Sequence, residues 1–207
     1  MERNRSAVKS RRKPSGAAVQ RAELTDALYR AFFEEWAERG FAAISLERVA
    51  ARAGAGKAAI YRRFSSHHEF AAAAVSTLGL TIAMPEDHGS LEDDVLAFLI
   101  RLRAVLRHPM IRRILPDLHA EAARSAPMRD LNTQVARARR EQAQVILDRA
   151  IERGELDQAI DRDLALDLLP APLYWRMIIL GVTPSRAQLA TEAVAIVAAL
   201  RGSIPRH

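Results

Sequence analysis

The sequence predicts an all-α protein of about nine helices, with a three-helix N-terminal unit and a larger helical body. Three observations carry this. Glycine and proline number only nine each in 207 residues, while alanine and leucine are abundant. Apolar residues recur at spacings of three and four along most of the chain and nowhere alternate as in a strand. Gly, Pro and Ser separate the periodic segments. Half the residues are apolar (49%), enough for a substantial core.

The elements follow in order. Residues 1–16 are polar and basic, and read as a disordered arm. Ala17 to Arg39 is a long first helix, with Leu24, Leu28, Ala31, Phe32, Trp36 and Ala37 on one face. Gly40 stops it, and Phe41 and Ile44 cross to the next. Ser45 caps a second helix, and Glu47 in its first turn complements the dipole. Leu46, Val49, Ala50 and Ala53 form its inner face, and Gly54 permits the left-handed backbone of a tight turn. Lys57 to Phe64 is a third helix, with Ile60 and Phe64 inward. Ser65 and Ser66 cap a fourth, running from about His67 to Met84.

Pro85 to Ser90 is a break, and Ser90 caps a fifth helix, Leu91 to Arg107. Pro109 opens a sixth, to Arg124, which Pro116 should bend. A seventh runs from Pro127 to Arg153 and stops at Gly154. An eighth runs from about Asp163 to Leu180, with Pro170 and Pro172 predicting a kink or break. Thr183 and Pro184 cap a ninth, to Arg201. The division is an arm at 1–16, a three-helix unit at 17–75 and a helical body at 76–207.

Composition excludes several classes. There is no cysteine, so there are no disulfides and no thiolate metal site, which fits a reducing cytoplasm. No apolar run reaches membrane-spanning length, and the basic N-terminus lacks the apolar core of a signal peptide. A glycine-rich phosphate loop and a HExxH pair are both missing, and His67-His68 and His119 with Glu121 have no convincing metal or triad spacing. The chain is therefore read as no enzyme, without a cofactor or metal and without a membrane partner.

Charge points elsewhere. Residues 1–70 hold fourteen Lys and Arg against eight Asp and Glu, whereas residues 71–207 hold seventeen of each. The whole net charge of +6 thus sits in the first third. A basic unit on a neutral body is the footprint of phosphate-backbone binding, although the arm alone could account for the sum. The two short helices over Ser45–Phe64, joined at Gly54, form a helix-turn-helix whose second member would lie in a DNA major groove. With Ile60 and Phe64 inward, Lys57, Tyr61, Arg62 and the small Ala58 lie outward. Lys57 can donate to guanine or phosphate, Tyr61 to phosphate, and Arg62 and Arg63 can flank the backbone. Free N–H groups at the start of the fourth helix, with His67, offer a further phosphate site.

Gly40-Phe41, Ser45, Val49-Ala50, Ala53-Gly54, Lys57, Ile60-Tyr61 and Phe64 closely resemble the N-terminal domain of TetR/AcrR-type transcriptional repressors. The resemblance covers residues 20–75 and agrees with the helix count. It implies a homodimer that binds a palindromic DNA operator and releases it when a small molecule enters the C-terminal domain. Carried over by position, the DNA contacts are Gly56, Lys57, Ala59, Tyr61, Arg62 and Arg63, with Ser45 and His67 at the starts of the second and fourth helices. The chain departs from the family's pattern twice. Gly56 replaces the usual hydroxyl cap of the third helix, and His67 stands where a phosphate-binding lysine is usual.

The eighth helix is apolar nearly all round, so both its sides must be buried. A second copy of the chain is the simplest partner, and Leu168, Trp175, Ile179, Leu189, Val194 and Val197 are the candidate dimer residues. A pocket for a small lipophilic effector is expected among the fourth to eighth helices. Leu78, Phe98, Leu102, Ile114, Leu118, His119 and Tyr174 are its candidate lining, with His119 and Arg176 orienting a polar end. The alternative reading is a helical interaction or adaptor protein without effector control.

Overall fold

The computed structural model describes residues 16–79 and 85–203, with side chains placed for 20–77 and 85–203. It contains α1 (Gly16–Arg39), a 3-10 turn (Phe41–Ala43), α2 (Leu46–Arg52), α3 (Lys57–Tyr61) and α4 (His67–Gly79). There follow α5 (Leu91–Leu106), α6 (Pro109–Arg124), α7 (Ala126–Glu152), α8 (Arg162–Leu168), α9 (Ala171–Tyr174), a π-helical turn (Trp175–Ile179) and α10 (Arg186–Arg201). No strand occurs among the described residues. The basic arm, the end of the fourth helix near Met84 and the Leu78 side chain lie outside them.

Most helix ends fall where the sequence places them. Gly40 adopts φ 79° and donates its N–H to the Trp36 carbonyl at 2.9 Å, closing α1. Ser45 accepts from the Arg48 N–H, and Ser90 accepts from the Asp93 N–H at 3.1 Å, each capping its helix as expected. Ser66 caps α4 through the Glu69 N–H at 3.2 Å, while Ser65 donates its N–H back to Glu69 at 2.7 Å. α6 runs as one helix through Pro116, which is exposed.

Three boundaries differ. α3 stops at Tyr61, not Phe64, because the chain tightens there and Arg63 donates its N–H to the Ile60 carbonyl at 2.8 Å. Phe64 still turns inward, its ring 4.7 Å from Phe70. The expected eighth helix is three pieces. Pro170 and Pro172 have no N–H to donate, so α8 ends at Leu168 and α9 restarts at Ala171. The widened turn after it lets Leu180 donate to the Trp175 carbonyl, five residues back, at 3.0 Å. The last helix is capped by Ser185 rather than by Thr183 and Pro184. Ser185 accepts from the Gln188 N–H, and Gln188 accepts from the Ser185 N–H, a reciprocal capping box.

The helices enclose two apolar cores. One gathers Leu28, Phe32, Trp36, Phe41, Val49, Ile60 and Phe70 from α1–α4. The other gathers residues of α5, α7, α8, the α9 segment and α10, among them Leu91, Leu99, Ile146, Leu173 and Leu200. α6 and α7 belong to both. Ile114, Leu118, Met128 and Leu131 pack into the first core, and Leu115, Ala143, Ile146 and Leu147 into the second.

The two parts are also bonded through one carboxylate. Asp117 Oδ2, on α6, accepts the indole N–H of Trp36 at 2.6 Å and the backbone N–H of Phe41 at 2.7 Å. Trp36 is fully buried and could not leave its N–H unpaired without a desolvation cost. Within the first core, the Glu35 carboxylate is fully buried and lies against Arg48, Arg39 and Arg52, which clamps α2 to α1.

Replacing Asp117 by Ala strands both donors. Asp117→Ala should cost about 3 kcal/mol of unfolding free energy, and Asp117→Asn, which keeps one acceptor oxygen, less. Urea unfolding followed by circular dichroism and Trp fluorescence checks this; an Ala variant as stable as the parent would show that the carboxylate joins nothing of consequence.

Candidate nucleic-acid interface

α2 and α3 meet at a turn through Gly54, whose φ of 67° is open to glycine at little strain. Leu46, Val49, Ala50 and Ile60 are buried beneath it. This anchoring leaves Lys57, Ala58, Tyr61, Arg62 and Arg63 exposed, with Ala59 partly covered. Gly56 precedes α3 with no side-chain cap, and a Cβ added there would meet nothing within 4 Å. The surface at the start of α3 is therefore low and open, which permits close approach by a large flat partner.

The outward donors are held by a residue that the sequence reading had credited only with complementing the helix dipole. Glu47, on α2, takes Lys57 Nζ at 2.7 Å, the Tyr61 hydroxyl at 2.9 Å and the Ser45 hydroxyl at 2.9 Å. Lys57 also sits over the Tyr61 ring, 5.4 Å from its centroid. These contacts, Lys57 first, hold the Glu47 carboxyl down to about 2 and raise the Lys57 ammonium and Tyr61 hydroxyl above their ordinary values. The group is fully exposed, so it orders side chains more than it stabilises the fold. No local spacing rule links Glu47 to residues ten and fourteen positions on; the turn at Gly54 brings them together.

The remaining residues divide. Arg62 has no side-chain hydrogen bond or ion pair among the described residues and is exposed. Arg63 reaches back to the Thr25 hydroxyl on α1 at 3.1 Å and lies 6.0 Å from the Phe64 ring centroid. Ser45 serves as the helix cap and a tether for Glu47. His67, expected at the phosphate site that opens α4, is partly buried. Its ring packs 5.1 Å from Phe41 and 4.3 Å from His68, and burial, then the neighbouring His68, lowers its pKa. It therefore contributes a neutral ring rather than a charge at pH 7.

Comparison with known proteins decides what this geometry belongs to. Residues 85–197 match the family described as "Tetracyclin repressor-like, C-terminal domain", and residues 27–74 match "Bacterial regulatory proteins, tetR family". The chain belongs to the TetR family. An uncharacterized HTH-type transcriptional regulator of Mycobacterium tuberculosis is 35% identical over 152 residues, 72% of this chain and 73% of that one. The YdeS regulator of Bacillus subtilis is 27% identical over 159 residues, 75% of this chain and 78% of its own. Among solved structures, Salmonella enterica GusR superposes with a TM-score of 0.69 at 19% identity, covering 87% of this chain and 95% of that one. A TetR regulator from Haloarcula marismortui gives 0.67 at 17%, covering 86% and 98%. This TetR-family protein is thus a DNA-binding helix-turn-helix transcriptional regulator and not an enzyme.

In its C-terminal body the expected pocket residues separate. His119 Nε2 and the Tyr174 hydroxyl share a hydrogen bond of 2.6 Å across α6 and α9. Phe98 and Leu102 are partly buried against the second core. Ile114 and Leu118 do not join them, because they are packed into the N-terminal core. Arg176 also departs, lying 3.7 Å from Glu192 on α10. Arg139 was missed. It falls eight residues after Leu131 and four before Ala143, both buried, so the spacing of the α7 stripe already pointed to it.

The expected dimer residues divide too. Trp175, Ile179 and Val194 are 57%, 56% and 50% exposed, large apolar side chains left to solvent by a single chain. Leu168 lines a shallow groove of about 140 Å³ with Pro172, Glu192, Ala195, Ile196 and Ala199. Leu189 and Val197 are instead buried in the chain's own core, where the capped start of α10 turns them toward α5, and offer a partner no surface. Glu192, in the groove, is buried with neither carboxylate oxygen hydrogen-bonded among the described residues, and burial raises its pKa.

The Glu47 cluster has a direct spectroscopic consequence. Followed by carboxyl-carbon NMR, Glu47 should titrate near 2 in the parent protein and move back toward 4.5 in Lys57→Ala. Because its folded pKa is lowered, the tether is present above pH 4.5 and lost as pH falls through about 2. A midpoint near 4.5 in the parent would dissolve the cluster.

Proposed function

We propose that this chain is a ligand-responsive repressor that binds a palindromic operator in the cytoplasm as a homodimer and leaves it when a small molecule enters the C-terminal body. The observation that carries the DNA reading is the outward row on α3, anchored from below by Ile60 and oriented from the side by Glu47. Lys57 and Tyr61 are the groove-facing donors, with Gly56 and Ala59 allowing close approach. Arg62, without an internal partner among the described residues, and Arg63 grip phosphates, while Ser45 and His67 border the contact as neutral groups. Residues 1–16 act as a basic arm, 17–75 as the DNA-binding unit and 76–207 as the effector and dimer unit.

Exposed Trp175, Ile179 and Val194, with Leu168 beside them, support a two-fold interface built from the α9 segment and α10 of two subunits. A two-fold axis there would set two recognition helices roughly 34–36 Å apart, one turn of DNA. α6 and α7, shared by both cores, are the elements through which a ligand near His119 and Tyr174 would shift the DNA-binding unit.

Selection from a random duplex pool should return an inverted repeat whose affinity falls steeply with salt. On that operator, Lys57→Ala with Tyr61→Phe should weaken binding by about tenfold or more. Unchanged affinity would remove both residues from the contact. Trp175→Glu with Ile179→Glu should convert a dimer to a monomer in sedimentation at micromolar concentration and abolish operator binding. A parent protein that sediments as a monomer would refute the interface.

A further inference from the structure

α6, α7 and the α9 segment each present an inward stripe. On α6 it runs through Ile111, Leu115 and His119, and on α9 through Tyr174 and Ile178. On α7 it runs through Leu131, Arg139, Ala143 and Leu147, of which Arg139 alone is charged. Other arginines that reach across this fold meet carboxylates or, like Arg103 at the Pro184 carbonyl, backbone oxygens. Arg140 pairs with Asp163 and Asp167, and Arg153 with Asp87, Asp94 and Glu155. Arg139 has no carboxylate in ion-pair range and no side-chain hydrogen bond among the described residues, though it is partly buried. Burial accordingly lowers its pKa, whereas those of Arg140 and Arg153 are raised by their partners. Its field reaches both His119 and Tyr174.

We propose that the side-chain cluster of Arg139 on α7, His119 on α6 and Tyr174 on α9 binds a small organic monoanion, its carboxylate seated on Arg139 and its second polar contact made with the Tyr174–His119 pair. The inference rests on the reading of the C-terminal body as an effector unit and gives that effector a chemical class. A guanidinium offers paired N–H donors in the geometry of a carboxylate, and a desolvated one without a countercharge gains most from such a ligand. His119 adds no second charge, because burial and then Arg139 lower its pKa. One fixed positive charge is balanced by a monoanion; a phosphate dianion would remain half-compensated. Tyr174, whose pKa is raised by burial, stays a neutral hydroxyl able to donate. His119 is exposed, so the cluster can be reached from solvent on that side.

The test titrates the full-length protein by calorimetry with benzoate, phenylacetate and octanoate, and with their uncharged amides. Carboxylates should bind at least about tenfold more tightly than the matching amides, and Arg139→Met should erase that preference. Arg139→Lys should retain part of it, and Tyr174→Phe should weaken carboxylate binding; the helical circular-dichroism spectrum of each variant verifies folding. No binding by any of the carboxylates, equal binding of the amides, or a preference that survives Arg139→Met overturns the proposal. Adding the bound carboxylate to the operator complex separates the two readings. Carboxylate binding at Arg139 without operator release upholds the anion site and refutes effector control. Release by the amides alone upholds effector control and refutes the anion site.

Discussion

The Asp117 carboxylate is the constraint on which the arrangement depends. One oxygen holds an indole N–H from α1 and a backbone N–H from the turn after it, and it does so from α6, a helix otherwise shared with the C-terminal core. Apolar contacts at Ile114 and Leu118 would permit sliding, because burial is non-directional. Two hydrogen bonds of fixed geometry do not. They set the angle at which the DNA-binding unit leaves the body, and with it the position of α3 relative to any dimer axis. A movement of α6 would be felt directly at Trp36 on α1 and at Phe41 in the turn after it.

Charge is used differently at the two ends of the molecule. In the DNA-binding unit, fully buried Glu35 faces three arginines and locks α2 onto α1, while exposed Glu47 orders Lys57 and Tyr61 on α3. Acidic residues thereby order these side chains without burying them, so that in the proposed DNA contact Lys57 and Tyr61 would have little freedom left to lose. At the far end the Asp87, Asp94, Arg153 and Glu155 cluster ties the 85–90 loop to the end of α7. Between these paired networks lie Arg139, beside His119 and Tyr174 and without a hydrogen-bond partner among the described residues, and Glu192, beneath the exposed apolar face, whose oxygens have only the Arg176 guanidinium at 3.7 Å. These two stand where the proposed effector and the second subunit would come.

The prolines show where periodicity loses to backbone chemistry. From Leu164 to Leu180 the apolar spacing reads as one helix, yet the missing donors at Pro170 and Pro172 divide it into α8, α9 and a π turn. The division turns Leu173 and Met177 inward and leaves Trp175 and Ile179 outside. Pro116, in contrast, leaves α6 whole. Local sequence warned of interruption at all three prolines, and only packing distinguished the one that is tolerated.

The sequence by itself determined the all-α class, most helix caps, the helix-turn-helix and the family, because each depends on residues within a few positions of one another. Gly40, Ser45, Gly54, Ser66 and Ser90 act through their own backbone or the next turn, and Ile60 beneath Lys57 and Tyr61 is a matter of helical period. Tertiary structure alone decided which inward residues belong to which core, since period marks a buried face without naming what covers it. It moved Ile114 and Leu118 out of the pocket, Leu189 and Val197 off the dimer face, and the His67 ring into packing. It also made the long-range polar contacts, Asp117 to Trp36, Glu47 to Lys57 and His119 to Tyr174. Their partners are far apart in the chain, and a hydrogen bond leaves no periodic trace in sequence.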